Sequence, residues 1–280
     1  MINLSPVESG ELRIESYFCK KSRYLWSNSQ FSILNSQLNV SLCILITLVV
    51  QTIAALPVHK IVAVDSIPHS QTRFTQGLFW DGGELWESTG MVGKSKIYRM
   101  DRKGVAFDSI AMPGPHFGEG IAKMGNKMLW LTWQSRIGFV LSASPLQVLG
   151  TFRIAGEGWG LTVWNGNWLM SDGTASLYLL SSKDMSVAGK IDVRANGAPV
   201  VYLNELEAVG DVLYANVWKS DSIAVISLPS GNVVRWLDFS QHAKSIRKQY
   251  PDAEVLNGVA FDGTKLWITG KNWPWIYKVE

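Results

Sequence analysis

Residues 74–90 read FTQGLFWDGGELWESTG, and four later stretches follow the same plan: FGEGIAKMGNKMLWLTWQS (117–135), GEGWGLTVWNGNWLMSDGT (156–174), YLNELEAVGDVLYANVWKS (202–220) and VLNGVAFDGTKLWITGK (255–271). Each opens on a short polar and glycine-rich segment and takes an apolar step. A Gly/Asp/Asn turn follows, then an aromatic-rich strand ending in Ser, Thr, Asp or Asn. Aligned by their openings, the copies put Gln76, Glu119, Trp159, Glu205 and Asn257 in one column, at steps of 43, 40, 46 and 52 residues. A period in the forties with two strands visible per copy points to a radial β architecture.

The segments between the copies fit that plan. KIVAVDSI, SKIYRMD, GVAFDSIAM, RIGFVLSA, LQVLGTFRI, SLYLLSS, SVAGKIDV, SIAVISL and NVVRWLDF are short strands bounded by turn residues. Within the copies, the turns at Asp81-Gly82-Gly83, Gly125-Asn126, Asn165-Gly166-Asn167, Gly210-Asp211 and Asp262-Gly263 recur between strands one and two, where a tight hairpin needs positive φ. About four strands per copy and five copies predict an all-β, five-bladed β-propeller over residues 57–280. The KIVAVDSI strand is expected to close the ring beside IYKV (276–279). One helix is expected, at residues 241–250.

Residues 1–39, rich in Ser, Asn and Gln, show no periodicity and are expected to be a disordered leader. Residues 40–56, VSLCILITLVVQTIAAL, form an uncharged apolar run at the short edge for a spanning helix, ending in small residues. They read as the hydrophobic region of a secretory signal cleaved near Ala54 or Ala55, or as an uncleaved anchor; a start downstream of Met1 would also account for the long leader. The expected location is periplasmic or secreted, with membrane contact only if the run stays attached.

Composition removes several function classes. A balance of 26 Lys+Arg against 23 Asp+Glu leaves no electrostatic footprint for nucleic acid. Cys19 and Cys43 both precede the repeats, so the repeated region has no disulfide or thiol nucleophile. His59, His69, His116 and His242 show no metal spacing, and no P-loop, dinucleotide fingerprint or nucleophile-elbow serine is present. Thirteen Trp imply a repeated structural slot, a binding surface, or both.

In a propeller the first strand of each blade lines the central channel, so the column gathers two carboxylates, two amides and an indole around one axis. An isolated channel Glu is more often solvated than functional. Glu119 differs because glycines flank it in FGEG, allowing close approach of substrate. Trp133 and Trp218, with Lys271 at the matching place in the fifth copy, end second strands and read as walls of one pocket.

FTQGL, ESTG, FGEG, LTWQ, EGWGLT, SDGT, LNELE, ANVW, VLNGVA and TGKNWP, in this order and spacing, resemble the plant/bacterial-type glutaminyl-peptide cyclotransferase family over about residues 70–280. The resemblance implies a five-bladed propeller that converts the N-terminal Gln of a peptide or protein to pyroglutamate with release of ammonia, without cofactor or catalytic zinc. It places the acid/base carboxyl on Glu119 and pocket groups on Phe74, Gln76, Phe117, Trp133, Trp159, Asn204, Trp218 and Lys271. Lys271 would stabilise an oxyanion or hold a neighbouring carboxylate, and Glu119 among aromatic rings should have a raised pKa. A monomer is expected. Two rivals compete with this: a non-catalytic secreted propeller binding peptides or sugars at its Trp-rich mouth, and a lactonase-like hydrolase with Ca²⁺ held by Glu119, Glu205, Asn204 and Asn257. Aromatic walls argue against the second, because a hard cation prefers an all-oxygen cage.

Overall fold

The computed structural model describes residues 55–280; the expectations for residues 1–39 and for the apolar run 40–56 lie outside the described residues, apart from its last two positions. Every strand from Val58 to Val279 joins one of five sheets. Their innermost strands are Thr75–Asp81, Gly118–Met124, Leu161–Trp164, Leu203–Val209 and Leu256–Phe261. Each packs on the innermost strand of the next sheet, and the last returns to the first. The architecture is an all-β, propeller-like fold.

Four sheets have the expected four antiparallel strands. The expectation of five alike units needs correction at the remaining repeat, which lies in a seven-stranded sheet. Its inner strands Leu203–Val209, Val212–Val217, Ser222–Ser227 and Asn232–Asp238 form the usual meander. The outer strand then takes parallel partners: Arg194 opposite Asn232, and Val58–Lys60 opposite Trp236–Asp238. The edge-capping strand lies just before KIVAVDSI (60–67) and shares only Lys60 with it, and within that segment Ala63–Pro68 pairs with Trp275–Val279 to close the last sheet, as the sequence suggests. Covering an exposed outer edge in this way removes a site for unwanted strand pairing.

The turn chemistry is as expected: Gly82, Gly83, Gly125, Asn165, Gly166, Gly210 and Gly263 all have positive φ, from 46° to 94°. The helix is Ser240–Gln249, one residue earlier than expected, and it buries Ala243 and Ile246 against the last sheet's cluster around Phe239, Trp273 and Tyr277. Apolar faces of adjacent sheets interdigitate into five buried clusters. Fully buried Trp86, Trp130 and Trp168 have indole N–H groups without an acceptor among the described residues, so they serve through their rings, as packing volume and, for Trp86, as a face for the Arg99 guanidinium at 5.1 Å.

The inner edge of a radial sheet presents unpaired backbone groups to the axis, and side chains from neighbouring sheets satisfy them. Ser88 Oγ donates to the Glu119 carbonyl (2.6 Å), and Ser171 Oγ donates to that of Asn204 (2.7 Å). Asn216 Oδ1 accepts from Gly258 N (2.9 Å). These three residues hold equivalent places on second strands, so three of the five sheets steady the start of the next.

Candidate active site

Cross-strand pairing fixes the true register of the repeats. Leu78, Ile121, Leu161, Leu206 and Val259 stand opposite Glu87, Trp130, Met170, Ala215 and Ile268 respectively. Two residues before each first-strand member lie Gln76, Glu119, Trp159, Asn204 and Asn257. The column read from the sequence is therefore corrected at its fourth member, which is Asn204 and not Glu205.

Glu205 instead occupies the place held by Gly77, Gly120, Gly160 and Gly258 in the other repeats. Those glycines are required by close approach at the axis. A Cβ on Gly120 would lie 2.7 Å from Leu161 N, and one on Gly160 only 1.9 Å from the Asn204 carbonyl oxygen. At the fourth repeat there is room, and the Glu205 carboxyl fills it. It accepts from Leu78 N (3.2 Å) and Val259 N (2.7 Å), joining three sheets. Burial pushes its pKa well above the usual carboxylate range even though these N–H bonds oppose the shift. Glu205 thus belongs to the frame, and both its oxygens are engaged, which counts against the Ca²⁺ cage.

Of the column residues, Gln76, Glu119, Asn204 and Asn257 are buried and Trp159 is half-buried, and hydrogen bonds join three of them. Gln76 Nε2 donates to Glu119 Oε1 (3.0 Å), while Gln76 Oε1 accepts from Asn257 Nδ2 (3.2 Å), which also donates to the Thr75 carbonyl (3.0 Å). Asn257 thereby orients the Gln76 amide, and Gln76 fixes one oxygen of Glu119. Glu119 is 5 % exposed, and burial raises its pKa well above the ordinary value. Lys271 pulls in the opposite direction and Glu157 adds to the rise. Asn204 and Asn257 each leave a buried Oδ1 without a donor among the described residues. Two acceptors of this kind are costly unless a ligand supplies the donors.

Around this base the predicted rings form a continuous wall. Phe74 meets Phe117 edge-on with centroids 6.0 Å apart, Phe117 meets Trp133 at 5.7 Å, and Trp159 meets Trp218 at 5.9 Å. Trp133 and Trp159 are bridged by Glu157, whose Oε2 accepts from both indoles at 2.8 and 2.9 Å. Lys271 Nζ lies 4.7 Å from the Phe74 ring centroid. Its ammonium has no hydrogen bond or ion pair among the described residues, and burial lowers its pKa while Glu119 and Glu254 oppose that.

Of the residues singled out from the sequence for the pocket, Phe74, Gln76, Phe117, Glu119, Trp133, Trp159, Trp218 and Lys271 are placed by these contacts, and Asn204 holds the matching register place on its own strand. Reasoning from the sequence missed Glu157, although EGWG was in view, and it missed two glycines. Trp133, Trp218 and Lys271 share their register place at second-strand ends with Gly90 and Gly173. A Cβ there would come within 2.4 Å of the Phe117 ring and 2.7 Å of the Trp159 ring. The glycines are the gaps into which those rings fit. Among the described residues no cluster of three or more His, Cys, Asp or Glu is placed to hold a metal ion.

A radial β scaffold carrying at its axis a buried carboxyl with one oxygen free of hydrogen bonds, amide acceptors and an aromatic wall defines a small-site acid/base enzyme. The sequence profile of the glutamine cyclotransferase family matches residues 38–280, and the chain belongs to that family. It is 37% identical over 229 residues to the glutaminyl-peptide cyclotransferase of Arabidopsis thaliana, covering 80% of this chain and 72% of that one. The crystal structure of Myxococcus xanthus glutaminyl cyclase superposes with a TM-score of 0.74 at 32% identity, covering 81% of this chain and 97% of the other.

Proposed function

We propose that the protein cyclises N-terminal glutamine of peptides to pyroglutamate, releasing ammonia, with Glu119 moving the protons. The observation that carries this is the buried Glu119 carboxyl, fixed by Gln76 on one oxygen, inside an aromatic wall. The substrate's α-nitrogen attacks its own side-chain carbonyl carbon, so nucleophile and electrophile are already tethered. The site's task is to hold a reactive rotamer and transfer protons. Glu119 takes the proton released by the attacking nitrogen as the ring C–N bond forms. It returns that proton to the departing nitrogen as the carboxamide C–N bond breaks, so ammonia leaves rather than amide ion. A pKa raised by burial suits both roles, and Oε2 is the oxygen left free for them. The orphaned Oδ1 atoms of Asn204 and Asn257 accept from the substrate's amine and carboxamide, and the unpaired Lys271 ammonium stabilises the tetrahedral oxyanion.

The test is incubation of the protein with Gln-initiated peptides, reading ammonia release and the matching mass loss. Wild-type turnover falling about 10²–10⁴-fold in Glu119→Gln, with the fold intact, supports the role; a variant with near-normal turnover rejects it. Family membership disfavours the non-catalytic reading. Independence from metal is part of the proposal: dialysis against chelator should leave the rate unchanged, and a loss restored by zinc refutes it.

Three finer readings complete the proposal. The seven-stranded sheet counts as a fifth blade, because its inner four strands follow the meander of the others and its first strand joins the same axial circuit. Residues 40–56 direct export to the periplasm or medium, tested by sequencing the N-terminus of the exported protein. The enzyme acts as a monomer, tested by its mass in solution.

A further inference from the structure

The reaction scheme leaves unused the carboxylate that bridges two indoles of the wall. Glu157 stands two residues before Trp159, and the register above puts it in the same place as Phe74, Phe117, Tyr202 and Val255 of the other repeats. Three of those four positions carry rings that pack in the mouth: Phe74 against Phe117, and Tyr202 against Trp218 at 5.8 Å. At the third repeat a carboxylate replaces the ring. It lies at the junction of two sheets, since Trp133 follows the end of Lys127–Thr132 in the second and Trp159 precedes Leu161–Trp164 in the third.

Indole N–H is a donor only, so two adjacent tryptophans cannot bond to each other. Glu157 Oε2 accepts from Trp133 Nε1 at 2.8 Å and from Trp159 Nε1 at 2.9 Å, and Oε1 accepts from Gln134 Nε2 at 3.2 Å. Trp133 is 38% exposed, and its ring is held by the edge contact with Phe117 at 5.7 Å and by this bond to Glu157. Hydrogen bonds to an ionised acceptor are shorter and stronger than neutral ones. We infer that Glu157 is a positioning residue of the enzyme, tying the indoles of Trp133 and Trp159 into one rigid wall beside Glu119. The same negative charge repels a proton-free Glu119, which agrees with its contribution to the raised pKa there. This inference rests on the catalytic reading of the site given above.

Two variants separate the mechanical and the electrical parts. Glu157→Ala removes the acceptor and frees both indoles; KM for a Gln-initiated dipeptide should rise about 10- to 100-fold, the range expected for losing one or two hydrogen bonds to a charged group. Glu157→Gln keeps a side-chain oxygen of the same reach and should restore KM to near the wild-type value. Because it removes the charge, Glu119 should ionise more readily, so the acid limb of the kcat–pH profile should move to lower pH. Purely structural damage would depress both variants without rescue and without moving the limb. A wild-type protein that makes no pyroglutamate overturns the catalytic reading itself. An active wild type whose Glu157→Ala variant keeps KM within about twofold, or whose Gln variant is as impaired as the Ala variant with an unmoved limb, overturns the inference about Glu157 alone.

Discussion

Replacing Gly160 by alanine puts the whole axial arrangement under test. The added Cβ would sit 1.9 Å from the Asn204 carbonyl oxygen, 2.7 Å from its carbonyl carbon and 2.9 Å from Glu205 Cα. All three atoms are backbone or fixed to it, so no rotamer change relieves the clash. An ordinary carbon–oxygen contact is about 3.3 Å, so the third and fourth sheets must separate by about 1.4 Å at the axis. Overpacking of a well-filled core costs about 1–3 kcal/mol, and this site offers no flexible neighbour, so about 3 kcal/mol or more is expected. For a domain of this size that lowers Tm by about 6–12 °C. The shift also carries Asn204 and Glu205 with it, so turnover should fall in the fraction that remains folded. Urea and thermal unfolding followed by circular dichroism measure the first effect, and ammonia release measures the second. Gly150→Ala is the control, because nothing lies within 4 Å of its Cβ; it should change stability by no more than about 0.5 kcal/mol. A Gly160→Ala protein as stable and active as the control would refute the close approach of the inner strands.

Three further outcomes follow from the geometry. Gly90→Ala pushes on the Phe117 ring, which is a side chain able to move, so the protein should fold normally while KM rises about tenfold; an unchanged KM would show that the Phe117 ring is not a wall of the pocket. Lys271→Met removes the positive charge that favours ionised Glu119, so the acid limb of the kcat profile should move to higher pH, opposite to Glu157→Gln, and kcat should drop about 10²–10³-fold; steady-state rates across pH decide it. Glu207 accepts from Phe261 N at 2.9 Å, yet burial pushes its pKa up to about 8. A carboxyl whose folded pKa is raised contributes its full stability below the unfolded value of 4.5 and loses it as pH climbs towards 8. Glu207→Gln should therefore gain on the wild type between pH 5 and 8 in urea titrations; equal pH dependence would refute the assignment.

The repeat, the hairpin turns and the closing strand were legible because each rests on short-range chemistry: glycine at positive φ, alternating apolar residues, and a recurring interval. The pocket rings were legible because FTQG, FGEG, LTW and NVW keep both residue type and spacing. The column is not legible at Asn204 because LNELE lacks the glycine that marks the register elsewhere and carries a carboxylate in its place. Glu157 escaped because its meaning lies in two indoles from different repeats, which spacing alone does not bring together. The same applies to the Glu87 carboxyl, held by His69 Nε2 at 2.8 Å, Arg73 at 3.0 Å and Thr75 at 2.7 Å. Arg194–Ala195 and Ala198–Pro199 are two residues each, too short to announce a strand, so the widened sheet could not be foreseen.

The division between Glu205 and the rings has a practical meaning for redesign. The sheets are locked together from within by main-chain groups, the Glu205 carboxyl and the side chains of Ser88, Ser171 and Asn216, whereas Trp133, Trp218 and Tyr202 hang from strand ends at the rim. Recutting those three side chains therefore reshapes the mouth and leaves the hydrogen bonds of the hub untouched.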